Sequence, residues 1–125
     1  MRILGVSEGW PKLEKPEFTT FRFARKDRDW QVGEMVQVVY RPRSKDREVL
    51  GTARIMGKEA RCMAWRGSEL TEPKVTEEEA ETDGFGPPGK EAYFAMWRWL
   101  WGVYGGRRVV DEPMNKLVLH WEANR

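Results

Sequence analysis

Alternation of apolar and polar positions dominates the first half of the chain and predicts strands. In Glu48–Met56 (EVLGTARIM), Leu50, Thr52, Arg54 and Met56 fall on one face, and Val49, Gly51, Ala53 and Ile55 on the other. Gly51 inside that run marks a bulge or a close backbone approach. Thr19–Phe23 (TTFRF) and Met35–Tyr40 (MVQVVY) are β-branched and aromatic, as strands require. Ala60–Trp65 and Leu117–Trp121 (LVLHW) read as two more. The polar stretch RPRSKDR, between Met35–Tyr40 and Glu48–Met56, reads as a hairpin loop.

The pattern then changes period. Thr76 followed by Glu79 has capping-box spacing, and Glu77–Glu79 lie in a first turn, where the helix dipole favours negative charge. Gly84 ends this short helix. The acidic cluster is thereby explained as helix-start chemistry, not as a metal site. A second helix is expected over Lys90–Tyr104, preceded by Pro87, Pro88 and Gly89 and stopped by Gly105-Gly106. Phe94, Trp97, Trp101 and Tyr104 form one apolar row and Tyr93, Met96, Leu100 and Val103 a second, a stripe wide enough to be core. Strands, two helices and a last strand predict an α+β domain: a small curled or barrel-like sheet of about five to six strands flanked by two helices. It spans 1–125, with 1–17 as an N-terminal extension that Trp10 packs onto the body.

A chain of 125 residues, 40% apolar and 34% charged, fits one soluble domain with a modest core. No apolar run approaches the ~20 residues that span a bilayer. The N-terminus lacks a secretory pattern, so a cytoplasmic location is expected and no membrane partner. One cysteine, Cys62, and one histidine, His120, leave no internal disulfide and no Cys/His zinc site; neither a metal nor a cofactor is expected. No motif supports a Ser-His or Cys-His dyad built on His120. Net charge is +2, but residues 1–66 carry 15 Lys/Arg against 9 Asp/Glu, and residues 67–125 carry 7 against 11. A basic face for nucleic acid and plain solvated surface are both compatible with that asymmetry.

The candidate binding residues lie in the basic half. Thr20 and Arg22 project to one face of their strand, where a hydroxyl and a guanidinium suit a phosphate or a base edge, or where Arg22 pairs with Asp83 or Glu17. Arg25, Lys26 and Arg28 follow, diluted by Asp27 and Asp29. Arg41, Arg43, Lys45 and Arg47 make a cleaner basic loop, either a backbone-positioning device or a solubilising tip. Trp30 and Trp65 either stack on unpaired bases or plug the sheet.

TTFR, then QVGEMVQVVY, then VTEEEAETDGF, a Trp-rich helix and a last strand occur in an order that resembles the ASCH domain family, related to the PUA fold, over about Phe18 to Glu122. The resemblance implies a small β-barrel with a cleft beside the helices, and RNA or a nucleotide-like ligand as partner. One branch of the family removes the acetyl group of N4-acetylcytidine. Its catalytic threonine and carboxylate correspond to Thr20 and Asp83, while its lysine position is Glu17 here. Lys15, two residues earlier, would share the face of Glu17 on an extended strand. Amidohydrolase activity is therefore the alternative to RNA binding.

Overall fold

The computed structural model describes residues 1–8, 10–63, 69–85 and 91–122. Five strands form one mixed sheet: β1 (Arg2–Val6), β2 (Glu17–Arg22), β3 (Met35–Tyr40), β4 (Glu48–Arg61) and β5 (Met114–Trp121). Their spatial order is β1-β3-β4-β5-β2, with β1 parallel to β3 and the other pairs antiparallel. The sheet is open: β1 and β2 are its two edges, and no pairing closes them among the described residues. The class is α+β as expected, whereas barrel closure is not formed. The N-terminal segment is also more than a packed extension, because Arg2–Val6 is a strand of the sheet itself.

β4 is the longest strand and carries two irregularities. It pairs with β3 along its first half and with β5 along its second. The register shifts once where Val38 faces Gly51 and Val39 faces Val49, leaving Leu50 as the extra residue. It shifts again between Ile55 and Gly57. Bulges of this kind bend a strand and increase its twist. The strand expected at Ala60–Trp65 is instead the end of β4, followed by a single bridge from Cys62 to Lys74. Trp65 lies outside the described residues.

Among the described residues three α-helices complete the fold, one more than the sequence pattern predicts: α1 (Glu77–Asp83), α2 (Ala92–Tyr104) and α3 (Gly106–Asp111). The capping box of α1 is present in both halves, and Gly84 ends the helix at φ 107°, the left-handed conformation a glycine adopts cheaply. α2 begins where the Glu77 carboxylate of α1 accepts from the backbone N–H groups of Ala92 and Tyr93. Those donors have no partner within their own helix, and an anion there is favourable. The Gly105-Gly106 stop holds, but Gly106 immediately starts α3, which sets Val109 into the core.

Two hydrophobic clusters occupy the two sides of the sheet. Leu4, Val36, Val38, Ile55, Leu117 and Leu119 lead the first, which also takes Phe18 and Trp30. Phe21, Phe23 and Met114 join Met63, Val75, Met96, Leu100 and Val109 in the second, against the helices. Strand alternation along β2 explains why Phe18 and Phe21 part company. Each fully buried aliphatic side chain contributes about 1.5–3 kcal/mol. Along α2, Met96 and Leu100 are buried, whereas Phe94 and Trp101 of the other row are 53% and 37% exposed. The stripe is thus core at Met96 and Leu100, while Val103 is 55% exposed and Trp97, packed against the core, has Phe94 stacked on it and Trp101 tilted against it.

Candidate functional site

A cavity of about 560 Å³ opens where the edges of the sheet meet α1, α2 and the loop after β3. Its walls are aromatic and aliphatic: Trp10, Phe85, Trp99, Leu100 and Tyr104. Trp10 packs against both hydrophobic clusters, edge-on to Phe85 at 5.2 Å and to Trp99 at 6.0 Å. A Cβ on Gly84 would meet the Trp10 ring at 3.1 Å, so the helix-ending glycine also seats this indole. At the mouth lie Arg41, Pro42 and Arg43. Gly5 in β1 lets that loop close down, since a Cβ there would sit 2.9 Å from the Pro42 ring.

The polar floor is made by residues far apart in sequence. The Lys12 ammonium donates to Asp83 Oδ1 at 3.0 Å, and the Thr19 hydroxyl donates to the same oxygen at 3.1 Å. Lys12 is 7% exposed and Asp83 5%. Lys12 stands on a 3-10 turn, Pro11–Glu14, that begins with a proline and is tied to β5 by the Trp121 indole N–H, 3.1 Å from the Leu13 carbonyl. Burial pushes the Lys12 ammonium below its ordinary pKa, against the pull of Asp83. Burial likewise pushes the Asp83 carboxyl up, opposed by Lys12, Thr19 and the more distant Arg22. Beside them Arg22 Nε donates to Thr20 Oγ1 at 3.1 Å. Burial lowers the Arg22 pKa, with Tyr104 and Asp83 offsetting part of the effect.

Of the expected site residues, Thr20, Arg22 and Asp83 do converge with Arg41 and Arg43 on this cavity. Thr20 and Arg22 share a face as the alternation required, but Asp83 bonds Thr19, on the helical side, and makes no contact pair with Arg22. Lys45 and Arg47 are exposed and outside the lining. Arg28 reaches toward Glu34, 3.6 Å away, in a cluster organised by Arg2. Glu17, at the position the family resemblance gives to lysine, is exposed and paired with His120; Lys15 is exposed too. Trp30 is 4% exposed, with the Arg2 and Arg25 guanidinium groups over its ring, so it offers no face to a base. Arg25, Lys26 and Trp30 line a separate hollow with Arg108.

The residue missed from the sequence is Lys12. It is one of 22 Lys/Arg, and its partner is 71 positions away. The only local signal is the Trp-Pro step at 10–11, which favours a tight turn and so takes Lys12 off a regular strand. No group of three or more His, Cys, Asp and Glu side chains suited to a metal ion occurs among the described residues. No described helix is long and apolar enough to cross a membrane. Comparison with protein-family models, with curated proteins and with solved structures finds no match to this chain.

Proposed function

We propose that this protein is an RNA-binding module of the ASCH type that takes an unstacked base into the cavity. The observation that carries the reading is the cavity itself: aromatic walls, a polar floor and two arginines at the mouth. Its volume lies within the ~300–1,000 Å³ typical of small-ligand sites. Single-stranded RNA is read by splaying bases out, stacking them on aromatic rings and hydrogen-bonding their edges. Trp10 and Trp99 supply rings, Lys12, Asp83 and Thr20 supply edge partners, and Arg41 and Arg43 meet the backbone. On this reading the curled sheet, bent by the two bulges of β4, is a PUA-like barrel left open at its edges.

The test is titration of short single-stranded and hairpin RNAs at low and near-physiological salt. Saturable binding that weakens steeply with salt is expected. Arg41→Ala with Arg43→Ala should weaken it and reduce the log–log salt slope by about 1.4, at roughly 0.7 per lost single-strand contact. No binding at low salt overturns the reading.

Lys12 favours a second reading, the amidohydrolase, because it brings to the cavity the cation that position 17 does not supply. Arg22 donates to the Thr20 oxygen, which leaves the hydroxyl proton free for a base, and Lys12 lines the same cavity. Including N4-acetylcytidine in the same titration, with chromatography for released cytidine, separates the readings. Cytidine from wild type but not from Lys12→Met or Thr20→Val supports the enzyme; none from wild type removes it.

A further inference from the structure

We infer that the hollow beside the cavity is a phosphate subsite, so that the ligand is a nucleic-acid strand with one base in the cavity and a neighbouring backbone phosphate in the hollow. The inference rests on the base-binding reading of the cavity and extends it to the ligand's chemical class. The two depressions adjoin: Arg22 and Tyr104 line both. The hollow, also about 560 Å³, contrasts with its neighbour in charge. Arg22, Arg25, Lys26 and Arg108 line it, against a single carboxylate, Asp27.

The acids around the hollow orient its cations without neutralising the set. Asp27 holds Arg25 at 3.2 Å, and Glu112 holds Arg108 at 3.1 Å from the same helical segment. Asp29, next in the loop, is taken by Lys58 at 2.9 Å and Asn115. Arg108 also lies over Phe23, 4.4 Å from the ring centroid, and over Tyr104. A guanidinium held over aromatic rings loses little freedom when it binds an anion. Lys26 is exposed.

Trp30 also lines the hollow, so its ring reports what enters there; its indole N–H is itself closed off from solvent and has no hydrogen-bond partner among the described residues. Arg41 and Arg43 line the cavity and this hollow adjoins it with Arg25, Lys26 and Arg108, an arrangement that suits a strand passing across a flipped base.

The experiment follows indole N–H signals of the 15N-labelled protein, with Trp30→Phe to assign Trp30. The probes are the four ribonucleosides, their 3′- and 5′-monophosphates, and inorganic phosphate. A monophosphate should bind about tenfold tighter than its nucleoside and shift the Trp30 signal, as expected for a charge-assisted contact. Lys26→Ala with Arg108→Gln should reduce that advantage to below about twofold and leave nucleoside affinity unchanged. Nucleosides and monophosphates binding equally would overturn the subsite while the base-binding reading stands. The same holds for an advantage that survives the double variant. Inorganic phosphate shifting Trp30 while no nucleoside binds would keep the anion site and overturn base binding.

Discussion

Glu79 and Asp83 stand four residues apart on helix α1, both largely buried, and their surroundings push them in opposite directions. Glu79 accepts from Arg61 Nε at 3.1 and 3.2 Å, from Lys116 at 2.7 Å and from the Thr76 backbone N–H at 3.0 Å. Burial would raise its pKa, but Lys116, the Thr76 amide and Arg61 together hold it below the ordinary value. Among the described residues Asp83 receives Lys12 and Thr19, both on Oδ1, in a more enclosed place, and its pKa is raised. A carboxylate with a full set of donors fastens α1 to the sheet. One with a short set, lining a cavity, keeps hydrogen-bonding capacity for something else. Perturbed buried pairs in concave places are where ligand sites tend to form, though structural pairs perturb pKa values too.

The largest expected effect breaks the Asp83 side of this contrast. Asp83→Ala strands a buried ammonium and should cost about 3–5 kcal/mol, read from urea unfolding at neutral pH. Lys12→Met combined with Asp83→Leu should recover most of that loss, because an apolar pair of similar volume needs no desolvation compensation. The rescued double variant should still fail to bind RNA. A single variant losing under about 1 kcal/mol would mean that the pair is hydrated and the cavity floor is not dry.

The contrast also explains which parts of the molecule could be read in advance. Strand alternation, the Thr76–Glu79 capping box, the Gly84 stop and the Gly51 bulge are local, set by residues within a few positions of one another, and all four are present. The parallel strand β1 escaped because RILGV is short and does not alternate. Helix α3 escaped because a Gly-Gly step reads as an end, not a restart. Within the site, Thr20, Arg22 and Asp83 were legible from a motif order and a two-residue period. Lys12, Trp10 and Trp99 were not, because their convergence is decided by how the 3-10 turn and α2 pack, across separations that no pattern records. Burial of Trp30 under two arginines is a tertiary outcome of the same kind.

Acid titration sharpens the comparison by sign. Glu79, with its folded pKa lowered, contributes stability that is present above the unfolded carboxylate value and lost as pH falls through the folded one. Asp83, with its folded pKa raised, works in reverse: between the unfolded and folded values the native state holds the extra proton, so acidification gains stability there. Unfolding free energies from neutral to acid pH should therefore fall less steeply in Glu79→Gln than in wild type. In Asp83→Asn they should fall more steeply. Flattening in both variants would show two ordinary salt-bridged carboxylates and remove the distinction.

The smallest effect compares the hydroxyls that serve the two carboxylate neighbourhoods. Thr76 caps α1 through its side chain, which accepts from the Glu79 backbone N–H at 3.0 Å, while the Glu79 carboxylate returns a bond to the Thr76 amide. Thr76→Ala should cost about 1 kcal/mol, the usual price of a lost N-cap, and should leave RNA binding unchanged. Thr19→Val removes one of the two donors to Asp83 and leaves β2 intact, since valine suits a strand. Its stability cost should also be about 1 kcal/mol. Its distinguishing effect should lie in binding: with Thr19 gone the Asp83 carboxyl is pushed further up, so the pH at which affinity for RNA changes should move upward relative to wild type. Fluorescence titration from acid to neutral pH measures this. Equal, pH-independent affinities for wild type, Thr19→Val and Thr76→Ala would place Asp83 outside the binding step and leave the cavity floor a structural ion pair like that of Glu79.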